Sequence, residues 1–168
     1  MAEFKQNLLH LLDMSAISER DGLSDEEIRR ILSAHQRVAV VGMSKDPVKP
    51  AHYVPKFLLR HGFDVVPVNP TAEEILGLKA FKSLLEVQGP VDVADVFRPS
   101  DQILPIAEQA LKIKPRIFWM QEGIYNREAA EMLRKAGVTV VWNRCMMQEH
   151  NRLFGSKPLV DLGHLHAK

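Results

Sequence analysis

The sequence contains a single cysteine, Cys145, so no disulfide can form within the chain. That suits a reducing compartment. Charge of one sign is not in excess either: Lys and Arg number 22 against 21 Asp and Glu, for a formal net charge of +1. The two signs are interleaved, which excludes a basic nucleic-acid surface. No apolar run approaches the roughly 18 residues of a membrane span, and the N-terminus does not read as a signal segment. A soluble, cytoplasmic protein is therefore expected. Internal repeats and low-complexity segments are also missing. What is present is ordinary globular composition, 46% hydrophobic and 26% charged over 168 residues. That is enough for one domain with a sizeable core.

The apolar pattern organises the chain. Residues 1–34 read as an N-terminal helical extension, with a stripe at Phe4, Leu8, Leu9, Leu11 and Leu12 and a break at Gly22. Ser24 and Glu27 make a capping box for a helix carrying Ile28, Ile31 and Leu32. From residue 35 to 155, short strands alternate with helical patterns, and residues 156–168 form a tail. The strands are Arg37–Gly42, Asp64–Val68, Val91–Phe97, Arg116–Met120 and Val138–Trp142, rich in valine, isoleucine and aromatics. Gly62 suits the end of the first intervening helix, and Asn126 caps the helix over Arg127–Ala136. Pro105 must sit in the first turn of the Ser100–Lys112 helix or kink it. Thr71 and Glu74 suggest a capping box on a helix of a turn or two. The pattern predicts an α/β fold: a doubly wound, Rossmann-like, five-stranded parallel sheet, strand order 3-2-1-4-5.

Ligands of such sheets sit outside the carboxyl ends of the strands, where the order reverses. The first strand runs as VAVV into Gly42, but the further glycines of a dinucleotide turn are missing, and SKDPVKP follows. Pro55 predicts a helix start near Tyr53, because proline is tolerated in the first turn. That leaves a long loop, Met43 to His52, in which Ser44, Lys45 and Lys49 can meet anionic oxygens. After the second strand stand Val68, Asn69 and Pro70, where an NAD site has an acidic side chain for the ribose.

These stretches carry a resemblance. VAVVG with the following serine, lysine and prolines, then GFDVVPVNPTAEEILGLKAFKSL, then PVDVADVFRPS, and finally VVWNRCMMQEH resemble the small CoA-binding protein family. That family shares its fold with the CoA-binding domain of the succinyl-CoA synthetase alpha subunit. The match spans roughly residues 37–154. It implies CoA as the ligand. Gly42, Met43, Ser44 and Lys45 would meet the pyrophosphate and adenosine side. Val68, Asn69 and Pro70 would flank the adenine, and Phe97 and Arg98 would line the pantetheine path opposite Gln121, Glu122 and Gly123. Many relatives have lysine after the Asn-Pro, where this chain has Thr71; Lys45, Lys49 or His52 would then supply the charge. The synthetase's phosphorylated histidine lies in a second domain that has no counterpart here.

The reading is therefore non-catalytic binding of CoA or an acyl-CoA. The alternatives are an NAD(P)-dependent oxidoreductase, against which the missing glycines and ribose acid weigh, and a Rossmann-like interaction module. No catalytic constellation emerges. Cys145 and His150 are about one and a half helical turns apart and should face different ways. Cys145 does follow the last strand, where the pantetheine arm would end, so it is a candidate redox residue, with Arg144 beside it to lower its pKa. His164 and His166 in the tail supply too few ligands for a metal site. Trp119 and Trp142 lie in strands and belong to the core.

Overall fold

The computed structural model describes residues 20–34 and 36–155. The apolar stripe of residues 4–12 and the pair His164 and His166 lie outside the described residues. Helix α1, Asp25–Ala34, leads into β1, Arg37–Val41, then α2, Pro50–Arg60, and β2, Asp64–Val68. A small hairpin follows, β3 at Glu74–Ile75 and β4 at Leu78–Lys79. Then come β5, Val93–Val96; α3, Ile103–Ile113; β6, Ile117–Met120; α4, Arg127–Lys135; β7, Thr139–Val141; and α5, Met146–Phe154.

The five long strands form one parallel sheet covered on both faces, and their near-continuous apolar sequences reflect that double burial. On one face α1, α2 and α5 contribute Ile28, Ile31, Leu58 and Met146 to a core with Val38, Val40 and Trp119. On the other, α3 and α4 bring Ala107, Ala110, Ala129 and Leu133 against Ala39, Phe118 and Met120. Both tryptophans are buried.

The strand order is β2-β1-β5-β6-β7. In terms of the five long strands this is 2-1-3-4-5, and it corrects the expected 3-2-1-4-5. The third long strand pairs with the first and not with the second. Pro67 supplies the physical reason. Its carbonyl accepts from Phe81 N on the outer side of β2, so its missing N–H falls on that same side. A strand with proline there is suited to an edge. The outer side of β2 is closed by Phe81, which also accepts from Asn69 N. The order reverses between β1 and β5, so the cleft-forming position lies between those two strands.

Several local expectations match. Ser24 N donates to Glu27 Oε2 at 2.7 Å and Glu27 N to Ser24 Oγ at 3.2 Å, a reciprocal capping box. Asn126 Oδ1 accepts from Ala129 N at 2.9 Å. Pro105 occupies the first turn of α3, after a 3-10 turn at Ser100–Gln102. Phe63 N bonds to Leu58 O and Gly62 N to Leu59 O, a Schellman ending with Gly62 at φ 87°.

Two expectations do not. The Thr71–Glu74 stretch is no helix. Asn69 Oδ1 accepts from Thr71 N and Ala72 N, and the chain then turns through Leu76 and Gly77 at φ 52° and 73°, the geometry of a tight hairpin. The second correction concerns α2, which begins at Pro50 and carries Pro55 in its interior. The Ala51 carbonyl that Pro55 cannot serve accepts instead from Ser44 N at 3.0 Å. That bond satisfies the acceptor an internal proline leaves open, and it shortens the loop to Met43–Lys49.

Candidate functional site

The loop after β1 is built on backbone restraints. Gly42 has φ 83°, and a Cβ on it would stand 2.9 Å from Phe97 O and 2.8 Å from Arg98 Cδ. Glycine is required here by the crossing of β1 with the end of β5, before any ligand is considered. The Met43 side chain is fully buried in the core and offers only its carbonyl, which accepts from Asn69 Nδ2 at 2.8 Å. Ser44 is held on three sides: its N–H bonds to Ala51 O, its carbonyl accepts from His52 Nδ1 at 2.7 Å, and its hydroxyl accepts from Asp46 N at 3.1 Å. His52 is thus a buried clamp on the loop. Lys45 and Lys49 point outward from this frame and are exposed.

An open cleft of about 410 Å³ lies at the carboxyl ends of β5 and β6, beside the N-terminus of α2. This is in the size range of small-molecule sites. One wall is the start of α2, with Lys49, Ala51 and Tyr53; another is Phe97, Arg98 and Pro99 after β5; the rest is Gln121, Glu122 and Ile124 with Cys145, Met147 and Gln148. The first-turn amide of Ala51 has no intrahelical acceptor, and the dipole of α2 adds positive potential at this wall. Lys49 and Arg98 add two formal charges. Arg98 is steadied by a hydrogen bond to Gln102.

Beneath the cleft lies a polar pair that the sequence reading missed. Asp95, in the middle of β5, has no exposed surface. Its Oδ1 accepts from Gln121 Nε2, while its Oδ2 has no partner among the described residues. Burial pushes the carboxyl up to about 7, against the opposing effect of the Gln121 hydrogen bond. The Gln121 carbonyl oxygen in turn accepts from Met146 N at 3.4 Å, tying the cleft floor to the first residue of α5.

Cys145 stands at the N-cap of α5, half-buried on the cleft wall. Burial pushes its thiol above the ordinary value, the Gln148 and Met147 amides oppose this, and Asp95 and Glu122 push it further up. Arg144 does not act on the sulfur as its sequence position suggested. Its guanidinium turns to Asp21, with Nε to Oδ2 at 2.9 Å and an Nη to Oδ1 at 2.7 Å, and reaches Glu149 at 3.2 Å. Asp21 is buried and also accepts from Leu23 N and Trp142 N. This network fixes the turn after β7 and with it the position of Cys145. His150 faces elsewhere, packed against Phe57, His61, Phe63 and Phe154 at the edge of a separate cavity at the amino ends of the strands. Cys145 and His150 therefore do not form a nucleophile–base pair.

Of the residues singled out from sequence, Phe97, Arg98, Gln121, Glu122 and Cys145 meet on the cleft. Gly42, Met43, Ser44 and Lys45 form the adjoining loop. Val68, Asn69 and Pro70 stand at the end of β2, beyond β1, and the Asn69 side chain is spent on Met43, Thr71 and Ala72. Gly123, at φ 80°, donates to Asn143 Oδ1 at 2.7 Å and shapes the turn after β6 without lining the cleft. The wall supplied by Met147 and Gln148 was missed, as was the cleft face of α2 at Ala51, Tyr53 and Val54. An amphipathic run from Met146 to Phe154, with Met146, His150 and Leu153 turned inward, was the available signal.

Comparison with known proteins identifies the family and the fold. A family model described as CoA binding domain matches residues 36–151. The uncharacterized protein YneT of Bacillus subtilis is 42% identical over 127 residues, covering 76% of this chain and 94% of that one. A solved structure of a hypothetical protein from Pyrococcus horikoshii OT3 is 45% identical with a TM-score of 0.79, covering 80% of this chain and 95% of that one. An ADP-forming acetate–CoA ligase of Methanocaldococcus jannaschii is 32% identical over 88 residues, 52% of this chain but only 12% of the ligase. With a family match across most of its length and the corresponding sheet, the chain belongs to the CoA-binding domain family.

Proposed function

We propose that this protein binds CoA or an acyl-CoA reversibly in the cleft at the carboxyl ends of the strands, without itself transferring the acyl group. The observation that carries this reading is the division of the cleft. On one side are the N-terminus of α2, Lys49 and Arg98, which suit phosphate oxygens. On the other are Gln121, Ile124, Cys145 and Met147, an uncharged, partly apolar path suited to the pantetheine arm. Lys45, exposed on the adjoining loop, adds charge for a further phosphate. Gly42, Met43 and Ser44 shape that loop, and Val68, Asn69 and Pro70 brace it from the end of β2. In this reading Glu122 stays at the rim, away from the phosphates, and Gly123 holds the turn.

The same strand ends disfavour NAD. The ribose position after β2 holds Val68, Asn69 and Pro70, and Asn69 is already engaged with the backbone. Thermal unfolding with each ligand tests the assignment. CoA at about a hundred times its dissociation constant stabilises a fold by roughly 2.7 kcal/mol, so the midpoint should rise with CoA and stay put with NAD. No rise with CoA, or an equal rise with NAD, would overturn the proposal.

A further inference from the structure

We infer that Cys145 is a site of reversible covalent attachment: a disulfide of CoA held in the cleft exchanges onto the Cys145 sulfur and leaves a Cys145–CoA mixed disulfide. This rests on the CoA-binding reading above and extends it to the thiol end of the ligand.

Two observations meet at that end of the cleft. The first is position. Cys145 lines the cleft with Gln121 and Met147, across from the basic wall of Lys49 and Arg98. A CoA with its phosphates on the basic wall brings its sulfur toward Cys145. The second is Asp95, fully buried, with Oδ2 lacking any partner among the described residues. It stands at the same corner: its donor Gln121 lines the cleft, and the Gln121 side-chain oxygen accepts from Met146 N, next to Cys145. A buried acceptor without a donor is a place for a proton, and once it holds one its charge no longer opposes ionisation of the Cys145 thiol.

The step balances as a thiol–disulfide exchange. The Cys145 thiol gives its proton to solvent in the open cleft and becomes the thiolate. The thiolate attacks one sulfur of CoA disulfide; the new bond joins Cys145 to that sulfur, and the old sulfur–sulfur bond breaks. The departing CoA leaves as a thiolate and takes up the proton. The incoming disulfide is the oxidant: Cys145 is oxidised and one CoA is reduced. Because Cys145 is the only cysteine, no second thiol of the chain can expel the adduct. It persists until an outside thiol attacks it.

The surroundings also make the reaction selective. Burial keeps the thiol largely protonated, and Arg144 is committed to Asp21, so free disulfides meet a sluggish sulfur. A disulfide held by its nucleotide gains from proximity what the thiol lacks in ionisation. The test is intact-mass analysis of the full chain after incubation with CoA disulfide or glutathione disulfide, beside a calorimetric titration of wild type with reduced CoA. The expected result is one CoA added to wild type, removed by reductant, absent in Cys145→Ser, and formed at least about tenfold faster than the glutathione adduct. Binding heat with reduced CoA but no adduct overturns the attachment and leaves the binding reading standing. Equal rates with the two disulfides overturn it as well, by making Cys145 an ordinary accessible thiol. No binding heat at all overturns the binding reading, and the attachment with it.

Discussion

Replacing Asp95 by asparagine should make the protein relatively more stable as the pH rises. Asp95 has no exposed surface and, among the described residues, a single side-chain hydrogen bond, from Gln121. Its carboxyl is raised from 3.8 to about 7, chiefly by burial. A carboxyl raised in the folded state is ionised first in the unfolded chain. The folded state is therefore favoured while the group is protonated in both states, below about 3.8, and loses stability as pH climbs from there to about 7. At about 1.4 kcal/mol per pH unit this amounts to about 4 kcal/mol. Asp95→Asn keeps the shape and the acceptor for Gln121 but cannot ionise. Its new amide N–H₂ lacks an acceptor, which costs about 1–3 kcal/mol at every pH. The difference between the two proteins thus has a constant part and a part that moves with pH. Urea unfolding of both at pH 4.5, 6 and 8.5 separates them. The asparagine variant should gain on wild type by several kcal/mol across that range, with most of the change below pH 7. A difference that stays flat, or that moves in favour of wild type, would refute the idea that a buried, poorly partnered carboxyl underlies the cleft.

Other substitutions probe the frame around the site. Gly42→Ala should destabilise the fold by about 1–3 kcal/mol in chemical unfolding, because φ is 83° and the new Cβ would lie 2.9 Å from Phe97 O. Asn69→Ala should cost about 1–3 kcal/mol in the same assay, since it leaves the Met43 carbonyl and the Thr71 and Ala72 amides without their partner. Arg144→Met should cost about 3–5 kcal/mol at neutral pH by stranding the buried Asp21 carboxylate.

How far the sequence foretold these features depends on whether their causes are local. The strands were legible because valine runs such as Val38–Val41 and Val65–Val66 are buried on both faces. The caps at Ser24 and Asn126 were legible because each bond spans only a few residues. The strand order was misjudged, although Pro67 marked β2 as an edge strand. The start of α2 was misplaced because the carbonyl opposite Pro55 is satisfied by Ser44, a contact that local pattern cannot show. The hairpin at Glu74–Lys79 imitated a helix start because Thr71 and Glu74 have capping-box spacing, while the true organiser is Asn69. The Asp95–Gln121 pair joins β5 to the residue just after β6, and the Asp21–Arg144 pair spans most of the domain. Neither leaves a periodic trace. An aspartate inside the valine-rich run VDVADV was the one hint of the former.

The central claim, that CoA lies across the carboxyl ends of β1, β5 and β6, is tested most directly by an amide NMR titration with CoA. The account predicts shifts concentrated in residues 42–53, 97–99, 121–124 and 145–148. It predicts little change around Leu32, Gln36, Phe63 and Gly155, which surround the cavity at the opposite end of the sheet. Shifts centred on that opposite cavity, or no shifts at saturating CoA, would contradict it.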